Sequence, residues 1–233
     1  MKPHNVKPID TSNLAGRVYK EIWGSLIAGR FMPNERLRIS DIAQRLGTSD
    51  TPVREALLRL VSEHVLEMHT GKLIGVPPLS LASYIEIRAI RLPLERLAVE
   101  LATPTMDKKV LRELVEINNR FTKAESSHVA AAQMECNRLF HFAIYSRCGL
   151  PRLLAMIESM WTSMGPMLAA YYRESNAGYR SGHDHHAALL RALSAGDAPR
   201  AAAALQADIL SAGPSIERFL REHEERTMAP ASI

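Results

Sequence analysis

Between residues 37 and 60, apolar side chains recur every three to four positions in two short runs with a polar break between them. Ile39, Ile42, Ala43 and Leu46 make the first run, a spacing that predicts a short amphipathic helix with Ser40 or Asp41 able to cap its start. Gly47 then permits the positive φ that ends a helix. Thr51 precedes Pro52, and proline is tolerated at the first position of a new helix, which the pattern carries through Val53, Ala56, Leu57 and Leu60. Two such helices joined by a tight turn predict a helix-turn-helix, whose second helix enters the DNA major groove with its N-terminal residues at base edges. Thr48, Ser49, Thr51 and Arg54 stand where that helix would meet DNA. The plainer alternative is a helical hairpin with solvated arginines.

The flanks extend the pattern. Leu14, Val18, Ile22, Leu26 and Ile27 predict an amphipathic helix ending at Gly29. After the hairpin, 65–69 and 72–76 read as short strands joined by the turn His69-Thr70-Gly71-Lys72. Three helices followed by such a wing make a winged helix, with Lys72 at the tip in reach of a phosphate or the minor groove. Val76-Pro77-Pro78-Leu79-Ser80 marks a boundary, because two prolines stop the strand and Ser80 can cap a helix. Beyond it strand signals vanish, and six helices are expected at 80–102, 107–125, 128–147, 150–174, 180–195 and 197–226, the fourth kinked at Gly165-Pro166. The expected fold is mainly α: a winged helix-turn-helix over 1–78, then an antiparallel bundle of about six helices over 79–233.

Composition and charge narrow the class. Of a net charge of +4, the first 78 residues hold 11 Lys/Arg against 8 Asp/Glu, and the remainder 18 against 17. That modest basic bias falls on the segment expected to bind DNA. Cys136 and Cys148 are too few for a disulfide framework and lack metal-type spacing, which favours a reducing compartment. No apolar run approaches transmembrane length and the N-terminus has no apolar signal core, so a soluble cytoplasmic protein is expected.

With those residues in view, the chain resembles a known family. Gly29-Arg30-Phe31-Met32-Pro33-Asn34-Glu35-Arg36-Leu37, then Asp41-Ile42-Ala43, then Thr51-Pro52-Val53-Arg54-Glu55-Ala56-Leu57, is similar to the signature of GntR-family transcription regulators. The resemblance implies a homodimer on a short palindromic operator, since a two-fold site mirrors a two-fold protein. Arg54 and Thr51 would then touch bases, while Arg38, Thr48, Ser49 and Lys72 would hold phosphates. Asn34 stands where the family usually has glycine, and asparagine tolerates a left-handed turn. Asp50 stands where arginine is frequent, which bears on the operator sequence.

In the bundle, Asn137 and His141 are four apart and share a helix face. His183, His185 and His186 cluster before the fifth helix, and Asp208 lies in the sixth. Asn137 to His141, His186 to Asp197, and Ala201 to Asp208 resemble the effector domain of the FadR subfamily of GntR regulators, which commonly holds a divalent metal on one aspartate and three histidines. That resemblance implies Asn137, His141, His186 and Asp208 as ligands here, with the carboxylate transferred from Asn137's position to Asp208's. Two imidazoles and a carboxylate suit Zn, Ni, Mn or Fe. The alternative is hydrogen-bonded core histidines around a polar cavity. His183 and His185 are expected at the surface beside the pocket.

Residues 86–98 resemble the subfamily's Arg-x-x-Leu-Glu-x-x-Ala pattern, with Arg91 and Glu95 on the matching positions. Arg91 is therefore a candidate anchor for a carboxylate effector, against the alternative of an intrahelical Arg91–Glu95 pair on a solvated face. Tyr145, Tyr171, Tyr172 and Arg173 add candidate polar contacts, although aromatics at helical spacing are more often core. The function expected from all this is a ligand-responsive transcription regulator, a repressor by family habit, sensing a small organic acid. Two other readings are a metal-dependent hydrolase or isomerase using the His/Asp cluster, and a bundle that serves only to dimerise a constitutive repressor. Against the enzyme, no acidic residue near the ligands offers an obvious general base, and no Ser-His or Cys-His motif is present.

Overall fold

The computed structural model describes residues 14–70, 73–127, 129–174 and 182–228. Its N-terminal part begins with α1 (Leu14–Ile27), whose Val18, Ile22 and Leu26 are spaced four apart and buried. β1 (Arg36–Leu37) leads directly into α2 (Ile39–Leu46), and α3 (Asp50–Ser62) follows across a tight turn. At that turn Gly47 is left-handed, its N–H donates to the Gln44 carbonyl at 3.3 Å and the Thr48 N–H to the Ala43 carbonyl at 3.0 Å. These two bonds form a Schellman close, which satisfies carbonyls at the helix end. β2 (Glu67–His69) and β3 (Leu73–Gly75) make the wing, with Met68 opposite Ile74. A strand that the periodicity did not signal, β1, pairs with the other side of β3, giving the antiparallel order β1-β3-β2.

Three local expectations need correction. Neither Ser40 nor Asp41 caps α2: the helix already starts at Ile39, Arg38 holds the cap position without a side-chain bond, and Ser40 bonds Asp41 instead. The reason is that β1 delivers the chain into the helix with a single intervening residue. Pro52 is the third residue of α3, not the first, still within the turn whose N–H groups lack intrahelical acceptors. Asn34 does adopt a left-handed φ of 64°.

The C-terminal part contains α4 (Leu81–Ala102), α5 (Lys108–Ser126), α6 (Ala130–Tyr145), α7 (Pro151–Glu174), α8 (Gly182–Ser194), α9 (Ala198–Ser211) and α10 (Gly213–Met228). Ser80, Asp107 and Asp197 cap α4, α5 and α9 through their side chains. The expected sixth helix, 197–226, is thus two. Pro214 of the Gly213-Pro214 dipeptide breaks it, since it has no N–H to carry the α9 ladder on and is tolerated in the first turn of a new helix. The same dipeptide at 165–166 does not end α7.

Six of these helices close a ring. α5 packs on α6 and α8, α8 on α9, α9 on α4, α4 on α7, and α7 on α6. α10 lies outside the ring against α4 and α9. The two parts meet where the end of α1 crosses α7: Ile27 joins the core of the ring, and Gly165 lies directly against the Leu26 carbonyl. No helix among the described residues is long and apolar enough to cross a membrane.

This contact predicts opposite outcomes for one chemical change at two glycines. A Cβ on Gly165 would drive into the backbone of Leu26 and Ile27, so Gly165→Ala should cost about 1–3 kcal/mol in denaturant unfolding. Gly24 in α1 has open space around it, and Gly24→Ala should stabilise by roughly 0.5–1 kcal/mol. Equal effects at the two positions would contradict the packing of α1 on α7.

Candidate functional site

The hairpin presents a polar edge to solvent. Pro52, Val53, Ala56, Leu57 and Leu60 turn α3 inward, which leaves Thr51, Arg54 and Leu58 on its outer face. Arg38, Ser49, Thr51 and Arg54 are exposed and Thr48 is half-buried. Asp50 is exposed beside them. Lys72, the expected wing-tip contact, lies outside the described residues. At the other end of α3, Glu63 accepts from the Tyr19 hydroxyl at 2.6 Å and from Arg59 Nε at 2.9 Å. Arg59 also lies over the Tyr19 ring at 3.9 Å, so α1 and α3 are clamped in one orientation.

The second site is at the middle of the ring, where every helix contributes a polar side chain. His141 from α6, His186 from α8 and Asp208 from α9 are buried, and their ligand atoms all lie within 4.8 Å of one another. His141 Nε2 is 3.1 Å from Asp208 Oδ2. His186 Nε2 is 3.1 Å from Asn137 Oδ1, and its Nδ1 is 3.1 Å from Asn118 Oδ1. Phe140 stacks on the His186 ring at 4.1 Å and Phe121 packs against it at 4.7 Å. All four expected ligands are therefore brought together. His185 is half-buried, not on the surface, and the side chain of His183 is outside the described set.

A second layer orients the two imidazoles. The Tyr145 hydroxyl donates to Glu95 Oε2 at 2.5 Å, and burial together with the Glu95 charge pushes its pKa well up, so it keeps its proton. Its oxygen therefore accepts from His141 Nδ1, 3.1 Å away. That leaves His141 Nε2 facing the Asp208 carboxylate, a pairing of donor atoms that a metal ion between them would satisfy. Asp208 suits that role. Burial pushes its carboxyl up, but the hydrogen bond and charge of His141, with the charges of His186 and His185, outweigh that and hold it below the ordinary carboxylate range. Asn118 does for His186 what Tyr145 does for His141. Fixing Nδ1 and aiming Nε2 inward is how outer groups prepare histidine ligands. The donor set of two imidazole nitrogens, a carboxylate and an amide oxygen fits a divalent transition metal.

Beside this cluster is a cavity of about 70 Å³ lined by Arg88, Arg91, Asn137, His141, Trp161 and Asp208, with Ile216 of α10 on one wall. Arg91 is buried, not solvated, and pairs with Glu95 through Nε at 2.5 Å and Nη2 at 3.3 Å. Trp161 Nε1 also donates to Glu95, at 2.9 Å. The remaining Arg91 edge, Nη1, meets the Met164 thioether, a weak acceptor, at 2.9 Å. Tyr171 and Tyr172 line the cavity as well, while Arg173 reaches away to Met32. Asn118 and Arg88 were not singled out by sequence reasoning. A polar residue inside the stripe Leu114, Ile117, Phe121 was the available signal for Asn118.

An exposed recognition helix on a winged scaffold, joined to a helical ring with a polar cavity, defines a DNA-binding regulator that carries its own sensor. Comparison with known proteins agrees: residues 14–76 match the gntR family of bacterial regulatory proteins, and residues 86–211 match the FCD domain. The transcriptional regulator McbR of Escherichia coli (strain K12) is 37% identical over 186 residues, 79% of this chain and 84% of that protein. The transcriptional repressor GlaR of the same strain is 27% identical over 214 residues, covering 87% and 95%. The solved structure of E. coli McbR/YncC superposes with a TM-score of 0.81 at 34% identity, covering 91% of this chain and 98% of that one. The chain belongs to the GntR family and carries an FCD ligand-sensing domain. Its relatives are transcription regulators, not enzymes, and the hydrolase or isomerase reading is set aside.

The donor set predicts a metal response. Chelator-stripped protein should melt higher with Zn, Ni or Mn, and His186→Ala should abolish the shift. The shift should shrink on acidification, because metal must displace protons from the imidazoles. An unchanged melting temperature with all three metals would mean that Asn137, His141, His186 and Asp208 hold no such metal.

Proposed function

We infer that this regulator is a repressor that binds a two-fold operator as a homodimer and is controlled by a small organic acid held beside a divalent metal in the ring. What supports control by a ligand is the continuity of the two sites. A small void beside the metal cluster is lined by Asn137 and Trp161 on one side and by Ile27 and Gly165 on the other. The end of α1, the first helix of the DNA-binding part, thus abuts the wall of the sensor. A ligand shifts an equilibrium only through differential affinity for two states, and a change at this wall is a change in the seat of α1. The same polar cavity favours sensing over a bundle that only dimerises. Residues 1–78 would carry the DNA-binding unit and 79–233 the sensor.

Metal bound to Asn137, His141, His186 and Asp208 would supply a Lewis-acidic point for an effector oxygen. Arg91, through its Nη1 edge, would meet the effector's carboxylate from the α4 wall, with Glu95 and Trp161 holding the guanidinium in place. At the DNA, Arg54 and Thr51 would read bases, and Arg38, Thr48, Ser49 and Lys72 would hold phosphates. The GlaR relative is a repressor by name, which supports the sign of control. For the homodimer, the support is α4. Ile90, Leu97 and Leu101 are 41%, 41% and 39% exposed at helical spacing on its outer face, an apolar strip that a second copy would cover.

Two measurements test this. On a DNA fragment selected by the wild-type protein from a random library, Arg54→Ala should lose roughly tenfold or more in specific affinity while keeping fold and oligomeric state. Retained wild-type affinity would mean that α3 does not read the bases. In analytical ultracentrifugation, Leu97→Asp should shift a wild-type dimer to monomer. A dimer unchanged by this substitution would place the interface elsewhere.

A further inference from the structure

The two arginines on the cavity wall are held in unlike ways. Arg91 is tied to Glu95 of its own helix, within a fully buried cluster. Arg88, one turn earlier on the same face, also lines the cavity, but its partner comes from outside the ring: Nη1 pairs with Glu217 of α10 at 2.6 Å. The guanidinium lies over the Tyr84 ring at 5.1 Å, and a Cβ on Gly213 would strike its Nη1. Arg88 therefore sits under the first turn of α10, a helix end whose dipole disfavours a cation unless a carboxylate compensates it.

α10 in turn holds the linker. Ile216, Phe219 and Leu220 pack with Leu79 of the linker and with Tyr84 and Tyr171. Farther along, Glu224 accepts the N–H of Leu81, the first residue of α4, at 2.8 Å. Ser80 satisfies one N–H of that helix end and Glu224 another. One helix thus touches the cavity at Ile216, the cavity-lining Arg88 at Glu217, and the junction leading to the DNA-binding part at Leu79 and Leu81. It also lies beyond the residues that match the FCD domain, 86–211.

We propose that a small carboxylate effector binds by taking Arg88 from Glu217, and that breaking this ion pair loosens α10 from the interdomain linker. This rests on the reading of the ring as an organic-acid sensor. An incoming carboxylate would lie between Arg91 Nη1 and Arg88, and its charge would repel Glu217. A guanidinium binds a carboxylate best through two parallel N–H groups, and Arg88 cannot offer that geometry to both partners at once. Arg91 acts as the fixed anchor and Arg88 as the switch.

The test uses the full-length protein, calorimetric titration with acetate, lactate and succinate, and hydrogen exchange of α10 and of the segment around Leu81. Wild type should bind at least one of these acids with faster exchange in α10. Glu217→Gln should bind it about fivefold more tightly, with α10 exchange already raised before any acid is added. Arg88→Gln should lose binding by roughly tenfold or more while melting cooperatively. Equal affinity in wild type and Arg88→Gln would overturn the switch and leave the sensor standing. Unaltered α10 exchange in Glu217→Gln would overturn it independently of any acid. No binding of any acid to wild type or to Glu217→Gln would remove the organic-acid reading and this inference with it.

Discussion

A single fully buried carboxylate organises the sensor. Glu95 has no exposed surface, and a lone charge in that position would cost several kcal/mol of desolvation. It is held by three donors from three helices: Arg91 of α4, Trp161 of α7 and Tyr145 of α6. Those three helices are one side of the ring. The energetic asymmetry of such a pair matters more than its net worth, because removing either partner leaves an uncompensated buried charge at a cost of about 3–5 kcal/mol. Neighbouring helices are thereby kept in one register, which apolar packing alone specifies less sharply.

The same carboxylate reaches the His141, His186 and Asp208 cluster through one further bond. By accepting the Tyr145 hydrogen bond it leaves the phenol oxygen to accept from His141 Nδ1, and so decides which imidazole nitrogen faces Asp208. Ligand geometry at the centre is thus set from the α4 wall, where the effector's carboxylate would meet Arg91. Asn118 performs the equivalent task for His186 from α5, with two phenylalanines limiting rotation of the ring. Neither imidazole is oriented by its own helix alone.

What was legible in the sequence was what depends on local chemistry. Gly47, the buried stripe of α3 and the Ser80 cap are written in nearest-neighbour terms, and each was found where the periodicity put it. That Asn137, His141, His186 and Asp208 meet at the centre was legible from helical spacing together with a family pattern. What escaped depends on partners far along the chain. β1 is two residues long and exists only because β3 pairs with it. Gly-Pro ends a helix at 213–214 and not at 165–166, since at 165 the glycine is the seat of α1 and packing sustains the helix through it. Arg91–Glu95 reads as a surface pair by spacing, and only the closing of α6 and α7 over it makes it a buried one.

This division has a functional consequence. The parts fixed by local rules, the hairpin and the caps, do the recognition and need one conformation. The parts fixed by long-range contacts are those through which a signal has to travel. α1 depends on Gly165 for its close approach, and the first turn of α4 depends on Glu224 of α10 for an acceptor. Both contacts join the ring to the linker or to α1. Both are also few in atoms compared with the cores on either side. Control of DNA binding therefore needs no rearrangement of either core. A change of roughly 1–3 kcal/mol at such junctions, the usual size of a coupling free energy, is enough to alter how the recognition helix is held relative to the ring.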